Sequence, residues 1–449
     1  MKRSVFCMAL ADSIALAGAL PRAAAAQGRT SLTFAARQIL DTLDPQQTSF
    51  VATRKVLNQM FDTLVVLKPG DTGLHPGLAE SWVVAPDAKT YTLKLKRGVV
   101  FHDGTPLDAA AVKFTFDRIM EPAQAKGSAR SFLGPYKSSR VIDEQTLRVD
   151  FTQPYAPFLR MLGTEPLVPI SPAAVKKYGD DFGRNPVGTG PFIFKEWATR
   201  EHVTMARNPH YRWAPPAIYH HNGPPYLSEI VWRFVLEPTT RVAVLQTGEA
   251  AIAEDLAYQD INRVKAIKNL DVLSAVPAGT PWTIFPNFQR FPTDHPEVRH
   301  AMLLAIDRDE IEHTLFHDQS HPSRSELQPP TPGYAATFPD PKPADAAKAK
   351  ALLDGAGWRP GPDGIRSKGG KRLELLWIYG TNNGYEEMAP LVQAQLREIG
   401  MDVKLTEQSR ANQQDSYAKG LHNIAEMNWW FPDPLILVRS LPTITSVDG

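Results

Sequence analysis

Cysteine is nearly absent: the 449-residue chain has one, Cys7. It stands inside an N-terminal segment that reads as an export leader, so the rest of the chain holds no thiol. Disulfide staples and thiol catalysis are thereby excluded. Net charge is equally scarce, since 49 Lys and Arg against 48 Asp and Glu leave +1. That balance gives no electrostatic case for nucleic acid or an anionic membrane. After the leader, no run approaches the ~20 apolar residues of a spanning helix. G-x-S-x-G, H-E-x-x-H and G-x-x-x-x-G-K-[ST] are all missing. This weighs against an enzyme, although catalytic sites also arise without motifs.

Proline is plentiful instead, at 39 residues, well above the average of about 5%; such a chain is rich in connecting loops. Its length exceeds one core's worth and predicts two or three domains. The leader has a basic start at Lys2 and Arg3 and an apolar stretch to Leu20, interrupted by Asp12. Ala24-Ala25-Ala26 then predicts cleavage before Gln27. Loss of residues 1–26 removes Lys2, Arg3, Arg22 and Asp12, which leaves a mature charge near −1. Cys7 lacks a lipoprotein context, so the expected product is a free periplasmic protein.

Residues 78–120 carry the densest pattern. Tyr91, Leu93 and Leu95 alternate with Thr92, Lys94 and Lys96, the period of a strand with one buried face. After Arg97-Gly98 and the apolar Val99, Val100 and Phe101, the run His102-Asp103-Gly104-Thr105-Pro106 reads as a turn. Asp108 sits where a helix N-cap belongs. Val112, Phe116 and Ile119 then form one apolar helical face. His102 and Asp103 could be a catalytic pair, but the turn accounts for both.

Further segments follow in order. Leu32-Thr33-Phe34 predicts a strand, Leu43-Asp44-Pro45 a turn, and residues 52–60 a helix. A hairpin is expected around Val141-Ile142 and Leu147–Val149. Asn185-Pro186-Val187-Gly188-Thr189-Gly190-Pro191-Phe192 has the glycines and prolines of a forced backbone path. Arg207-Asn208-Pro209-His210-Tyr211, a strand over 230–235 and a helix over 239–248 come next. Asn287 and the stretch 297–308 form a second long signature with a helix in it, and a further helix is expected to start near Arg308 and to end before Pro322. Residues 345–353 predict a helix, 373–379 a strand, 388–399 a helix ending at Gly400, and 401–405 a strand. The last three make a βαβ unit, hence a parallel pair.

In this combination and order the segments resemble the peptide/nickel-type family 5 of extracellular solute-binding proteins, the ligand-catching subunits of ABC importers. The resemblance runs from about residue 30 to about 440. It implies an α/β, two-lobed periplasmic-binding-protein (Venus-flytrap) fold with an extra subdomain on the first lobe. The expected division is leader 1–26, first lobe 27–65 and 185–272, subdomain 66–184, and second lobe 273–449. It also implies a C-terminal end cut short, because relatives continue past Asp433-Pro434. The implied function is capture of a small organic solute, peptide-like or opine-like, between the lobes and delivery to the permease subunits. A monomer with no cofactor and no nucleic-acid partner is expected. The alternatives are a nickel or haem carrier of the same family, or a truncated product unable to bind.

A hinge is expected over residues 271–287, with Pro277, Gly279 and Pro281 in it. The richest candidate site is Trp429, Trp430, Phe431 and Asp433. If that stretch is extended, Trp429 and Phe431 face one way and Trp430 the other; packing in the core explains the same aromatics. Peptide-binding relatives place an aspartate, for the peptide's ammonium, where this chain has Trp430. A buried ammonium needs a counter-charge, so ordinary peptides are disfavoured. Further candidates are Thr48, Ser49 and Phe50 after the Leu-Asp-Pro turn, Trp282, and Thr381, Asn382 and Asn383 after the 373–379 strand, although polar turns explain these as well. His313, His317 and His321, with His220 and His221, have metal-like spacing. Pro322 ends any helix before the third, and Thr314 stands where a zinc protease needs Glu, so no metal site is expected.

Overall fold

The computed structural model describes residues 3–8, 30–124, 127–323, 325–337, 343–380, 384–427 and 429–437. The chain divides into two compact units. One is Met1–Ala278 with Pro330–Pro332, and the other is Gly279–Pro329 with Gly333–Gly449.

The first unit holds a five-stranded sheet in the order Ile252–Ala253, Ser31–Ala36, Glu229–Phe234, His202–Arg207, Phe192–Ala198. Ser31–Ala36 pairs in parallel with both of its neighbours, and the remaining pairings are antiparallel. Leu32 and Phe34 enter the core from this strand, where Phe34 stacks on Trp232 with ring centroids 4.1 Å apart. Leu43 of the Leu-Asp-Pro turn and Val56, Leu57 and Met60 of helix Val51–Met60 complete that core. Helix Pro238–Thr247 ends at Gly248, whose φ of +81° suits a residue without Cβ. Arg3–Met8, inside the segment read as a leader, lies parallel to Leu270–Ala275.

A separate antiparallel sheet of the first unit runs Ala79–Val84, Thr90–Leu95, Thr146–Phe151, Tyr136–Asp143. The period-2 expectation is met: Tyr91, Leu93 and Leu95 are buried, and Thr92 and Lys94 are half-buried. Asp108 caps helix Ala109–Ile119 by accepting from the Ala111 N–H at 2.8 Å. Val112, Phe116 and Ile119 are fully enclosed, Phe116 edge-on to Tyr136 and Phe158. The expected hairpin is present, although Val141 and Ile142 are exposed.

The second unit is built on a four-stranded sheet, ordered Thr283–Pro286, Ile424–Met427, Glu374–Gly380, Asp402–Gln408. Glu374–Gly380 is buried on both faces through Leu375, Trp377, Ile378 and Tyr379. It pairs in parallel with Asp402–Gln408, as the βαβ pattern predicts, and the linking helix is Tyr385–Glu398. The helix expected within 297–308 is Pro296–Ala305, and the one expected to start near Arg308 is Arg308–Leu315. Asp307 starts the second: its carboxylate accepts from the Glu310 N–H at 2.9 Å. A small sheet of Arg359–Pro360, Arg366–Lys368 and Lys371–Arg372 has no clear sequence signal. Among the described residues no helix is long and apolar enough to cross a membrane.

Candidate ligand-binding site

The sequence signatures turn out to hold one another. His102 Nε2–H donates to the Gly190 carbonyl at 3.0 Å, and burial pushes its pKa down to about 4, so the ring stays neutral. Asp103 accepts from the Ser171 hydroxyl at 2.5 Å and closes its own turn onto Thr105. Both residues are thereby occupied as scaffold. A Cβ on Gly188 would lie 2.2 Å from the Met60 carbonyl oxygen, which explains the glycine there. Asp62 links three segments, accepting from Thr189 Oγ1 (2.9 Å), Tyr211 Oη (2.9 Å) and Trp213 Nε1 (3.0 Å). Burial nevertheless pushes its pKa up to about 6.

In the Leu-Asp-Pro turn, buried Asp44 pairs with buried Arg118 of the signature helix at 2.7 Å. Thr48 is fully buried and donates to Asp41 at 2.9 Å, so this candidate belongs to the turn's frame. Ser49 and Phe50 remain exposed at the start of helix Val51–Met60. Lys55 of that helix reaches Glu254, which is 1% exposed at the carboxyl end of Ile252–Ala253.

In the second unit, Trp282 is 39% exposed and stacks on Tyr385, with ring centroids 5.4 Å apart and an interplanar angle of 22°. Its ring fills the space beside Gly384, where a Cβ would lie 2.2 Å away. Trp429 and Trp430 are both half-buried, whereas Phe431 is 3% exposed. The expected alternation of Trp429 and Phe431 against Trp430 therefore does not appear in their burial. The pairing explains this, because only an isolated bridge forms, between Trp430 and Gly279. Next to it, the Thr280 N–H donates to the Trp429 carbonyl at 2.9 Å and the Trp429 N–H donates to Thr280 Oγ1 at 2.8 Å. Gly279 has φ +122°, and a Cβ there would lie 1.9 Å from the Trp429 oxygen. Asp433 accepts from the Leu435 N–H at 2.9 Å, the bond of a local Asp turn.

Glu426, at the carboxyl end of Ile424–Met427, is 7% exposed; it accepts from the Gly380 N–H at 3.0 Å and from Gln413 Nε2 at 2.6 Å. Asn382 and Asn383, with Thr381, lie outside the described residues. The histidine spacing does not survive folding. Helix Arg308–Leu315 stops before His317, which has φ +48°, so His313 and His317 share no helical face. His313 contacts Asp318 at 3.1 Å and His221 stacks on Tyr226. Among the described residues, no group of three or more His, Cys, Asp or Glu is arranged to hold a metal.

The pattern of bacterial extracellular solute-binding proteins, family 5 (Middle), matches residues 73–440. The chain belongs to this family. It is 32% identical over 383 residues to the glutathione-binding protein GsiB of Escherichia coli K12, covering 84% of this chain and 70% of that one. Among solved structures it is similar to NikA of Brucella suis in complex with Fe(III)-EDTA, with 26% identity, TM-score 0.78 and coverage of 92% of this chain and 82% of that one. DppA of Helicobacter pylori in complex with the peptide STSA is also 26% identical, with TM-score 0.74 and coverage of 92% and 81%. The fold is thus the two-lobed one of periplasmic binding proteins, and the chain is the substrate-binding component of an ABC importer.

As a family 5 protein, this chain owes its signature segments to the frame: His102 and Asn208 both bond the Gly190 carbonyl, and Thr189 and Tyr211 both bond Asp62. Sequence reading missed Asp62, Glu254 and Glu426, because each gains its meaning from a partner far away in the chain. A carboxylate directly after a short apolar strand, or next to last in one, is the local signal that marked the last two.

Proposed function

We propose that this family 5 protein captures a small organic solute, peptide-like or opine-like, in the periplasm and passes it unchanged to the permease of its importer. It acts as a monomer, with the N-terminal leader removed before it works. The 32% identity to glutathione-binding GsiB across 84% of the chain carries this reading. In the second unit the proposed ligand contacts are Trp282, Trp429, Trp430, Phe431 and Asp433, with Asn382 and Asn383 as proposed polar contacts; in the first unit they are Ser49 and Phe50.

Native mass spectrometry of the purified protein, with thermal shift against glutathione, short peptides, opine acids and chelated nickel, tests the reading. A ligand at a hundred times its Kd adds about 2.7 kcal/mol to folding stability. Replacement of Trp430 by Ala should remove that gain without lowering the ligand-free melting temperature by a similar amount. A ligand recovered chemically altered would argue for an enzyme. The likeness to NikA with Fe(III)-EDTA favours, as a second reading, a metal cargo held by its own small chelator.

A further inference from the structure

In the first unit, Ser31–Ala36 lies between Glu229–Phe234 on one side and Ile252–Ala253 on the other, all three parallel. The chain passes from one neighbour to the other through helix Pro238–Thr247. The carboxyl end of Ser31–Ala36 is therefore a switch point, the place where α/β sheets open a crevice for ligands.

Charged groups follow the strands directly at this end. Glu254 accepts from the Arg37 backbone N–H at 3.0 Å and pairs with Lys55. Asp255, with φ +48°, takes Arg37 Nε at 2.7 Å. Arg241 turns its guanidinium to the carbonyls of Val235 (2.9 Å), Leu236 (2.7 Å) and Asp255 (2.5 Å). Lys55 and Arg241 are thus spent on the protein. Arg37 is spent on one edge only: its side chain is 35% exposed, and its two terminal nitrogens have no acceptor among the described residues. A guanidinium ion-paired at Nε keeps those two nitrogens available as a planar fork, the geometry that a carboxylate matches with two parallel bonds. The ion pair with Asp255 also narrows the side chain's freedom before binding, which lowers the ordering cost.

We propose that Arg37 anchors a carboxylate of the imported solute end-on, with Asp255 and Glu254 as positioning residues. The solute is then an organic acid, such as a peptide or sugar acid with a free carboxylate. This inference rests on the solute-carrier reading above.

The test is calorimetric titration of the full chain with glutathione, short peptides and opine acids, each compared with its carboxyl ester. Wild type should bind an acid and lose affinity for its ester. Arg37→Ala should weaken the acid roughly 10- to 100-fold, the value of a charge-assisted contact, and leave the ester unmoved. Arg37→Lys keeps a cation beside Asp255 but lacks the fork, so it should fold like wild type and bind the acid at an intermediate affinity. Equal affinity of Arg37→Ala and wild type for the acid, or equal losses for acid and ester, would overturn the anchor. Uptake of uncharged solutes and of none of the acids would also overturn it, with the carrier reading left standing. Uptake of nothing would sink both.

Discussion

Asp62 has three hydrogen-bond donors around its carboxylate and still has a pKa of about 6, above the ordinary 3.8. Burial outweighs the donors because it penalises the charged form directly. A raised carboxylate pKa means that the folded chain holds its proton more tightly than the unfolded chain does. The resulting stability is fully present below pH 3.8 and is lost as pH rises through about 6. Asp62→Asn cannot titrate. Denaturation midpoints measured from pH 4 to 7 should therefore move in the variant's favour across that window and level off above it. A wild-type-to-variant difference independent of pH would refute the shift. Arg37 makes the complementary point: one residue carries both a structural contact at Nε and, in our proposal, a ligand contact at its other nitrogens.

Short elements carry the candidate site. Strand Ile424–Met427 ends in the tandem tryptophans, and these are bonded to Gly279–Thr280, the first residues after the division between the units at Ala278. Gln328, near the second crossing, donates to the Gly279 carbonyl at 2.8 Å. The segments by which the chain enters and leaves the second unit are therefore joined to the proposed ligand contacts. Thr280 is 3% exposed, and its hydroxyl oxygen serves the Trp429 N–H. Thr280→Val keeps the shape and leaves that donor unsatisfied, which should cost about 1–3 kcal/mol. Chemical denaturation will measure the loss, and Thr280→Ser should restore most of it. An unchanged Thr280→Val midpoint would mean that the bond contributes nothing.

At the scale of the whole molecule, the cores are built from separate residue sets. Phe34, Leu57, Met60 and Trp232 belong to the first unit, and Val298, Trp358, Trp377 and Leu396 to the second. Chains with more than one core depart from two-state unfolding, so scanning calorimetry should resolve two transitions in the ligand-free protein. Asp44→Ala leaves buried Arg118 without its carboxylate, which costs about 3–5 kcal/mol. It should lower one transition and leave the other in place; a parallel fall of both would show that the units unfold as one. The sequence by itself determined the strand at 90–95, the capped helix after Asp108 and the βαβ unit at 374–408, because period, cap and turn chemistry act between neighbours along the chain. Taken together, the ordered signatures also determined the family. Only the tertiary structure decided that Asp62 meets Tyr211 across 149 positions and that Arg37 meets Glu254 across 217. Such pairings depend on which strand ends the sheet brings together, and no local pattern encodes that.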